Sequence, residues 1–254
     1  ALNATKFGAL LDTQIAALTT TQVAGLSTTN LTALDATQLS SLTTTQVAAL
    51  SATQVGSLNT TNVAALTETQ IGAFTTTQIK SLSTTNLSAL DATQAGALTT
   101  TQIGQLTTTQ ASVLTSTDIG ELSSTQIGAF TGTLIGRLST SAVVALDATQ
   151  IGSLSSTQLQ SLSTTQLGTL GAADMGEFNE TQLAALSGTQ VRALTTTATN
   201  ALVETQVAAL TNTQIQSLSA TALSGLDATQ VGAMTTTQVR AITTVQIAAL
   251  STTD

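Results

Sequence analysis

An apolar residue occupies every eighth position from Leu2 to Leu250, and no insertion breaks the series. Leucine fills most of these positions, with Phe74, Phe130, Phe178, Met234 and Ile242 standing in for it. One added residue would throw every later leucine out of phase. Residues 1–254 therefore read as a single continuous octapeptide-repeat array, with no internal boundary and no linker.

The octad can be numbered from its leucine, with Leu18-Thr19-Thr20-Thr21-Gln22-Val23-Ala24-Gly25 as the type unit. Position two is drawn from Thr19, Ser27, Asp35, Thr43, Ser51, Asn59 and their equivalents, broken by Leu11 and Val203. These residue types accept a hydrogen bond from the free N–H groups at a helix start. Position five, three residues on, is usually glutamine, as in Gln22, Gln38, Gln46 and Gln54. Ser or Thr followed at that distance by Gln is a capping box, in which each side chain satisfies the other residue's unpaired N–H. The leucine before the cap and the Val or Ile at position six fit the two halves of a hydrophobic staple. A complete helix-start signal thus recurs every eight residues.

Continuous helix fails on geometry. Leucine and the following Val or Ile are five residues apart, about 140° around a helix, so they cannot share a face. Two turns per octad would also need about 4.0 residues per turn, beyond what supercoiling absorbs. A β-solenoid is the stronger alternative, because Thr and Val favour strands. Yet leucine at position one and Val at position six break a period of two, and strands give no reason for the caps or for glutamine. The expected fold is all-α: a solenoid of very short helices, one per octad, from position three to position eight. Such helices are too short to survive alone. Leucine and Val or Ile must face a shared core, position three must face solvent, and each unit leans mainly on its neighbours. Ala and Gly at positions seven and eight (Gly72, Gly96, Gly104, Gly128, Gly152) fit close backbone approach or helix ends, while Lys80, Gln160, Arg192 and Arg240 show that position seven also reaches water.

A longer period overlies the octad. The segment from Leu26 with Asp35 to Gln38 returns at Leu82 with Asp91 to Gln94, and more loosely at Leu138 with Asp147 to Gln150. The offset is seven octads each time, and Phe74 and Phe130 share it. Duplication of a seven-octad block accounts for it; a superhelical turn of about seven octads is the structural alternative.

Composition narrows the function. The chain lacks His, Cys, Pro, Trp and Tyr, and charged residues are 7% with a net charge of −8. Nucleic-acid binding needs a basic face and stacking aromatics, and neither is present. No apolar run reaches the length of a membrane span, and no signal-peptide pattern opens the chain. Without Cys there is no disulfide or thiolate metal site. Without His or Cys the common general bases and thiol nucleophiles are missing, and the hydroxyls are explained by capping. The expectation is a non-enzyme with no cofactor and no small-molecule substrate. Two acidic groups stand out. Asp174, Glu177 and Glu180 lie three apart, a spacing that could gather oxygens for Ca²⁺; Asp35, Asp91, Asp147 and Asp227 recur in the cap slot. Cap residues and favourable charge at helix starts explain both more simply, so no metal site is expected.

Arrays of the Leu-Thr-Thr-Thr-Gln-Val-Ala-Ala-Leu type resemble the octapeptide tracts of long bacterial surface or secreted adhesin-like proteins. That resemblance spans essentially the whole chain and implies a structural or adhesive role outside the cell or on its surface. Leu-Thr-x-x-Gln-Val also resembles the helix start in the DNA-reading repeats of transcription-activator-like effectors. There the unit is some four times longer and carries basic residues, so the likeness is one of capping. A Thr, Ser, Gln and Ala surface with so few charges is poorly defended against self-association. Ala1 falls at position eight and Asp254 at position five, so neither end carries the polar cap that a solenoid usually needs, and the expectation is that the chain is either cut from a longer array or joined end to end. The leading expectation is a structural repeat protein that extends a filament, fibre or stalk by associating with itself. An adhesin stalk or binding module is the alternative, and an ice-binding surface, suggested by the regular Thr, a lesser one.

Overall fold

The structure, a computed structural model, describes residues 4–250; Ala1, Leu2 and Asp254 lie outside the described residues. Thirty-one short helices fill the described residues, and none of those residues is in a strand. The β-solenoid alternative is thereby set aside. Each helix has four to six residues, begins at position three and ends at position six, seven or eight, as in Thr84–Leu87, Thr44–Ala48 and Ala36–Ser41.

A position-two cap, closed into a capping box wherever position five is glutamine, explains most of these starts. Thr43 is extended (φ −68°, ψ 155°) and its Oγ1 accepts from Gln46 N at 3.2 Å, while Thr43 N donates to Gln46 Oε1 at 2.7 Å. Where Leu11 and Val203 replace the cap, half the box survives: Leu11 N reaches Gln14 Oε1 at 2.9 Å and Val203 N reaches Gln206 Oε1 at 2.8 Å. The ends need no left-handed residue, since no described residue has positive φ. Instead the leucine turns extended (Leu42, φ −61°, ψ 131°) after a tightened last turn in which its N–H donates to the position-six carbonyl, Leu42 N to Leu39 O at 3.2 Å. The next cap follows at once.

The chain divides into two compact units, Ala1–Ala129 and Phe130–Asp254. Within each, helix packing follows one rule: every pair of helices in substantial contact lies three apart in chain order. In the first unit Ala52–Gly56 packs on Thr28–Thr32 and under Thr76–Ser81; in the second Gly188–Ala193 packs on Thr164–Leu167 and under Asn212–Ser217. Three octads therefore make one coil of the solenoid, and helices three apart share a side. The packing step is three octads and not the seven of the longer sequence period.

Positions one and six form the core inside the coils, as expected, with Ile71 and Ile79 fully buried and Phe74, Phe130 and Phe178 in leucine's place. Position three is exposed or half-buried and position four is exposed throughout, from Thr5 to Val245. Close backbone approach holds at some glycines. A Cβ on Gly136 would stand 2.7 Å from the Ser161 carbonyl oxygen, whereas one on Gly96 or Gly152 would meet nothing within 4 Å.

Candidate functional site

Position five holds the feature that sequence reading missed. The glutamine is buried, with Gln78 and Gln214 only 1% exposed, and its side chain works in two directions. Its Oε1 closes the capping box of its own helix. Its Nε2 points into the coil before it and donates to carbonyls at the corner where one helix ends and the next leucine begins. Gln54 Nε2 donates to Val23 O and Leu26 O, both at 2.9 Å. Gln70 reaches Leu39 O, Ser40 O and Leu42 O at 2.8, 3.3 and 2.6 Å. In the second unit Gln214 donates to Leu183 O and Leu186 O, each at 2.7 Å. Carbonyls at a helix C-terminus lack intrahelical partners, so one glutamine caps the start of its own helix and the end of another. The sequence carried a signal for this. A capping box accepts Glu as readily as Gln, yet no octad has Glu at position five. The site needs a donor as well as an acceptor.

The departures follow the same chemistry. Asn is one methylene shorter. Asn62 closes its box (Asn59 N to Asn62 Oδ1, 3.2 Å), whereas Asn86 instead reaches Leu58 O at 2.6 Å. Leu134, Ala142, Ala198 and Ala222 bury an apolar side chain in the slot. Asp118 keeps the box, accepting from Thr115 N at 2.7 Å, but has no amide to donate and accepts from Ser88 Oγ at 3.1 Å. Beside it lies a cavity of about 20 Å³, bounded in part by Ala95, Leu98 and Leu106, where Ala95 stands in the place of a Val or Ile. Glu121 borders the same cavity, and its carboxyl is pushed above the ordinary range by burial first, then by Asp118 and Asp91.

The suggested metal ligands take separate places at helix ends. Asp174 Oδ2 accepts from Gly171 N at 2.7 Å, and Glu177 is the residue that closes the helix Ala172–Gly176. Glu180 opens the helix Glu180–Ala185, where its own backbone N–H, then the Thr205 hydroxyl, holds its carboxyl below the usual value. Among the described residues no three acidic side chains are grouped so as to hold a metal ion. Asp35, Asp91, Asp147 and Asp227 each cap a helix, accepting from the backbone N–H of the glutamine three residues on. No helix is long and apolar enough to cross a membrane among the described residues.

Within each unit the coil is directional, with amide donors toward its N-terminal side and aliphatic groups with carbonyl acceptors toward its C-terminal side. Gln14 and Gln22 are exposed, and their amide nitrogens meet no acceptor among the described residues. In the second unit Gln230, Gln238 and Gln246 are buried, but Val231, Val239 and Ile247 are 48, 50 and 53% exposed, where position-six residues earlier in the chain are near zero. Leu223, Leu226, Val231 and Leu250 line an open groove there.

These features define an all-α octapeptide-repeat solenoid, three helices to the coil, tied coil to coil by glutamine. No protein family matches the chain, and neither does any curated protein.

Proposed function

We propose that this chain is a passive structural element that extends a filament, fibre or stalk outside the cell or at its surface by associating with itself. The observation that carries the reading is the polarity of the coil: each coil offers donors on one face and their acceptors on the other, so identical units add without a terminating step. A heterologous contact repeated without closure gives a filament and not a ring. The sparse charge, 7% of residues, leaves little repulsion between copies, and the resemblance to surface octapeptide tracts supports an extracellular setting. The adhesin alternative is weakened by the four aromatic residues, Phe7, Phe74, Phe130 and Phe178, which are buried and not available for contact.

Sedimentation velocity over a range of concentrations, with electron microscopy of the same samples, tests this. The expected result is mass and rod length that rise with concentration, depend weakly on salt and survive a chelator. A monodisperse monomer at high concentration removes the reading.

Ice binding keeps one observation of its own. Position four is Thr in nearly every octad and always exposed among the described residues, with few side-chain bonds to explain it. Thermal hysteresis in the purified protein would favour that second reading.

A further inference from the structure

We infer that Asp118 and Asp174 make two proton-operated seams between coils. As carboxylates they leave the adjoining coils apart; as neutral acids each donates to the position-one carbonyl of the coil before it and draws the coils together.

How closely coils meet is read at position seven, which lies against the position-eight carbonyl one coil later. Where glutamine ties the pair, a Cβ on the position-seven glycine would stand close to that oxygen: 3.1 Å at Gly56, Gly72 and Gly104, 2.7 Å at Gly136 and 3.2 Å at Gly168. The tying residues are Gln78, Gln94, Gln126, Gln158 and Gln190. With Asn30 in the slot the separation at Gly8 is 3.4 Å. The contact is lost at Gly96, Gly152 and Gly176, where a Cβ would meet nothing within 4 Å. There the slot of the covering helix holds Asp118, Asp174 and Ala198, none of which has an amide to donate. Each of these seams lies inside one unit. Among the described residues of the second unit, Ala148–Ser153 and Ala172–Gly176, the helix of Asp174, are the only pair three apart not in substantial contact. The donor at position five therefore sets the spacing of the coils.

A carboxylate fails in this slot for want of a hydrogen. Leu90 O and Leu146 O, which a glutamine there would meet, receive no donor among the described residues. A proton supplies it, and two asparagines of the same length show both positions open to such a side chain. Asn62 closes its own box at 3.2 Å, as ionised Asp118 does, whereas Asn86 donates to Leu58 O at 2.6 Å. The surroundings favour taking up the proton. Asp91 caps the helix that faces Asp118, and Glu121 stands one turn on; seven octads later Asp147, Asp174 and Glu177 repeat the set. The helices packed there, Ala92–Gly96, Ala148–Ser153 and Thr196–Asn200, carry no charge of their own. Like charges gathered in one place disfavour the ionised form and titrate together. The Glu121 carboxyl already lies above its ordinary range, through burial first and then Asp118 and Asp91.

The experiment uses the full chain, with ¹³C in leucine carbonyls and ¹⁵N in aspartate. Only the Leu-Asp pairs then give a correlated signal: Leu11–Asp12, Leu34–Asp35, Leu90–Asp91, Leu146–Asp147 and Leu226–Asp227. As pH is lowered, the Leu90 and Leu146 carbonyl carbons should move downfield as they gain a donor. Leu34, whose slot holds Asn62, is the reference for titration of the adjoining aspartate itself. Asp118→Asn should place Leu90 at its acid position already at neutral pH, and Asp118→Ala should hold it at its neutral position throughout. Both residue types occupy this slot elsewhere, at Asn86 and Ala142, so both variants should fold. A wild-type Leu90 signal that moves no more than Leu34, or that moves alike in the alanine variant, overturns the switch. So does an asparagine variant that leaves Leu90 unmoved at neutral pH.

Closure is read separately from donation. Gly96→Ala should raise the urea midpoint in the wild type, where the seam is open. It should lower the midpoint in Asp118→Gln, where the tied seam brings the new Cβ against the Glu121 carbonyl. The same sign in both backgrounds overturns the link between the tie and the spacing.

Discussion

At the scale of single residues, the same amino acid does opposite work according to what lies beyond it. Gly136 stands where a Cβ would press on the Ser161 carbonyl, while Gly152 lies in the helix Ala148–Ser153 with open space around it. Gly136→Ala should therefore destabilise by roughly 1–3 kcal/mol through overpacking. Gly152→Ala should stabilise by about 0.5–1 kcal/mol by restricting the unfolded chain. Urea denaturation of the two variants tests the contrast, and equal shifts would contradict the packing described. Glu121 adds a dependence on pH. Burial, Asp118 and Asp91 raise its folded-state value, so the native chain holds the proton more tightly than the unfolded chain. Stability from this group is then gained as pH falls through the folded value and lost as pH rises through it. Glu121→Gln should flatten the unfolding midpoint across the window just above the ordinary glutamate value; an unchanged slope would refute the assignment.

At the scale of the helix, its start was legible and its fixing was not. Position two, the box and the staple are local, and they placed helix starts correctly even where Leu11 and Val203 lack a capping oxygen. The fixing of position five depends on the preceding coil, whose carbonyls lie 28 to 31 residues back, which no local pattern reveals; the avoidance of Glu was the trace it left. Position-one leucine was read as core from its period, and Leu106 is 6% exposed. These roles predict an order of cost in one octad. Thr107→Ala removes a cap and should cost about 1 kcal/mol. Gln110→Ala removes the box and leaves the carbonyls of Ile79 and Leu82, now bonded at 2.8 and 2.9 Å, without a donor; about 1–3 kcal/mol is expected. Leu106→Ala should cost roughly 2–5 kcal/mol. In the opposite direction, Asp118→Gln supplies the absent donor to the carbonyls of Leu87 and Leu90 and should stabilise by about 1 kcal/mol. Thermal unfolding of the four variants checks both the ranking and the sign.

At the scale of the whole molecule, nearness in space and nearness in sequence part company. A lesion at Gln70 should loosen the helix Ala36–Ser41 and the corner at Leu42, whose carbonyls it holds, before the helix Ala52–Gly56, which is closer along the chain. Hydrogen exchange of Gln70→Ala should show protection lost first at residues 36–42. Uniform loss along the chain would refute the coil-by-coil coupling. The octad made the all-α solenoid legible, because register survives any length of array. The number of octads per coil was not, since it is set by how such short helices and extended leucines close on one another, and composition says nothing of that angle.

The coil of three also gives the seven-octad sequence period a different meaning. Seven octads are two coils with one octad left over, so a duplicated block lands one side further round than its parent. The segment beginning at Leu26 and its copy beginning at Leu82 therefore face different directions within the first unit. Copying such a block lengthens the array without painting a stripe along it. Marks repeated every seven octads on a frame of three are spread over the sides of the coil, so no one side collects them.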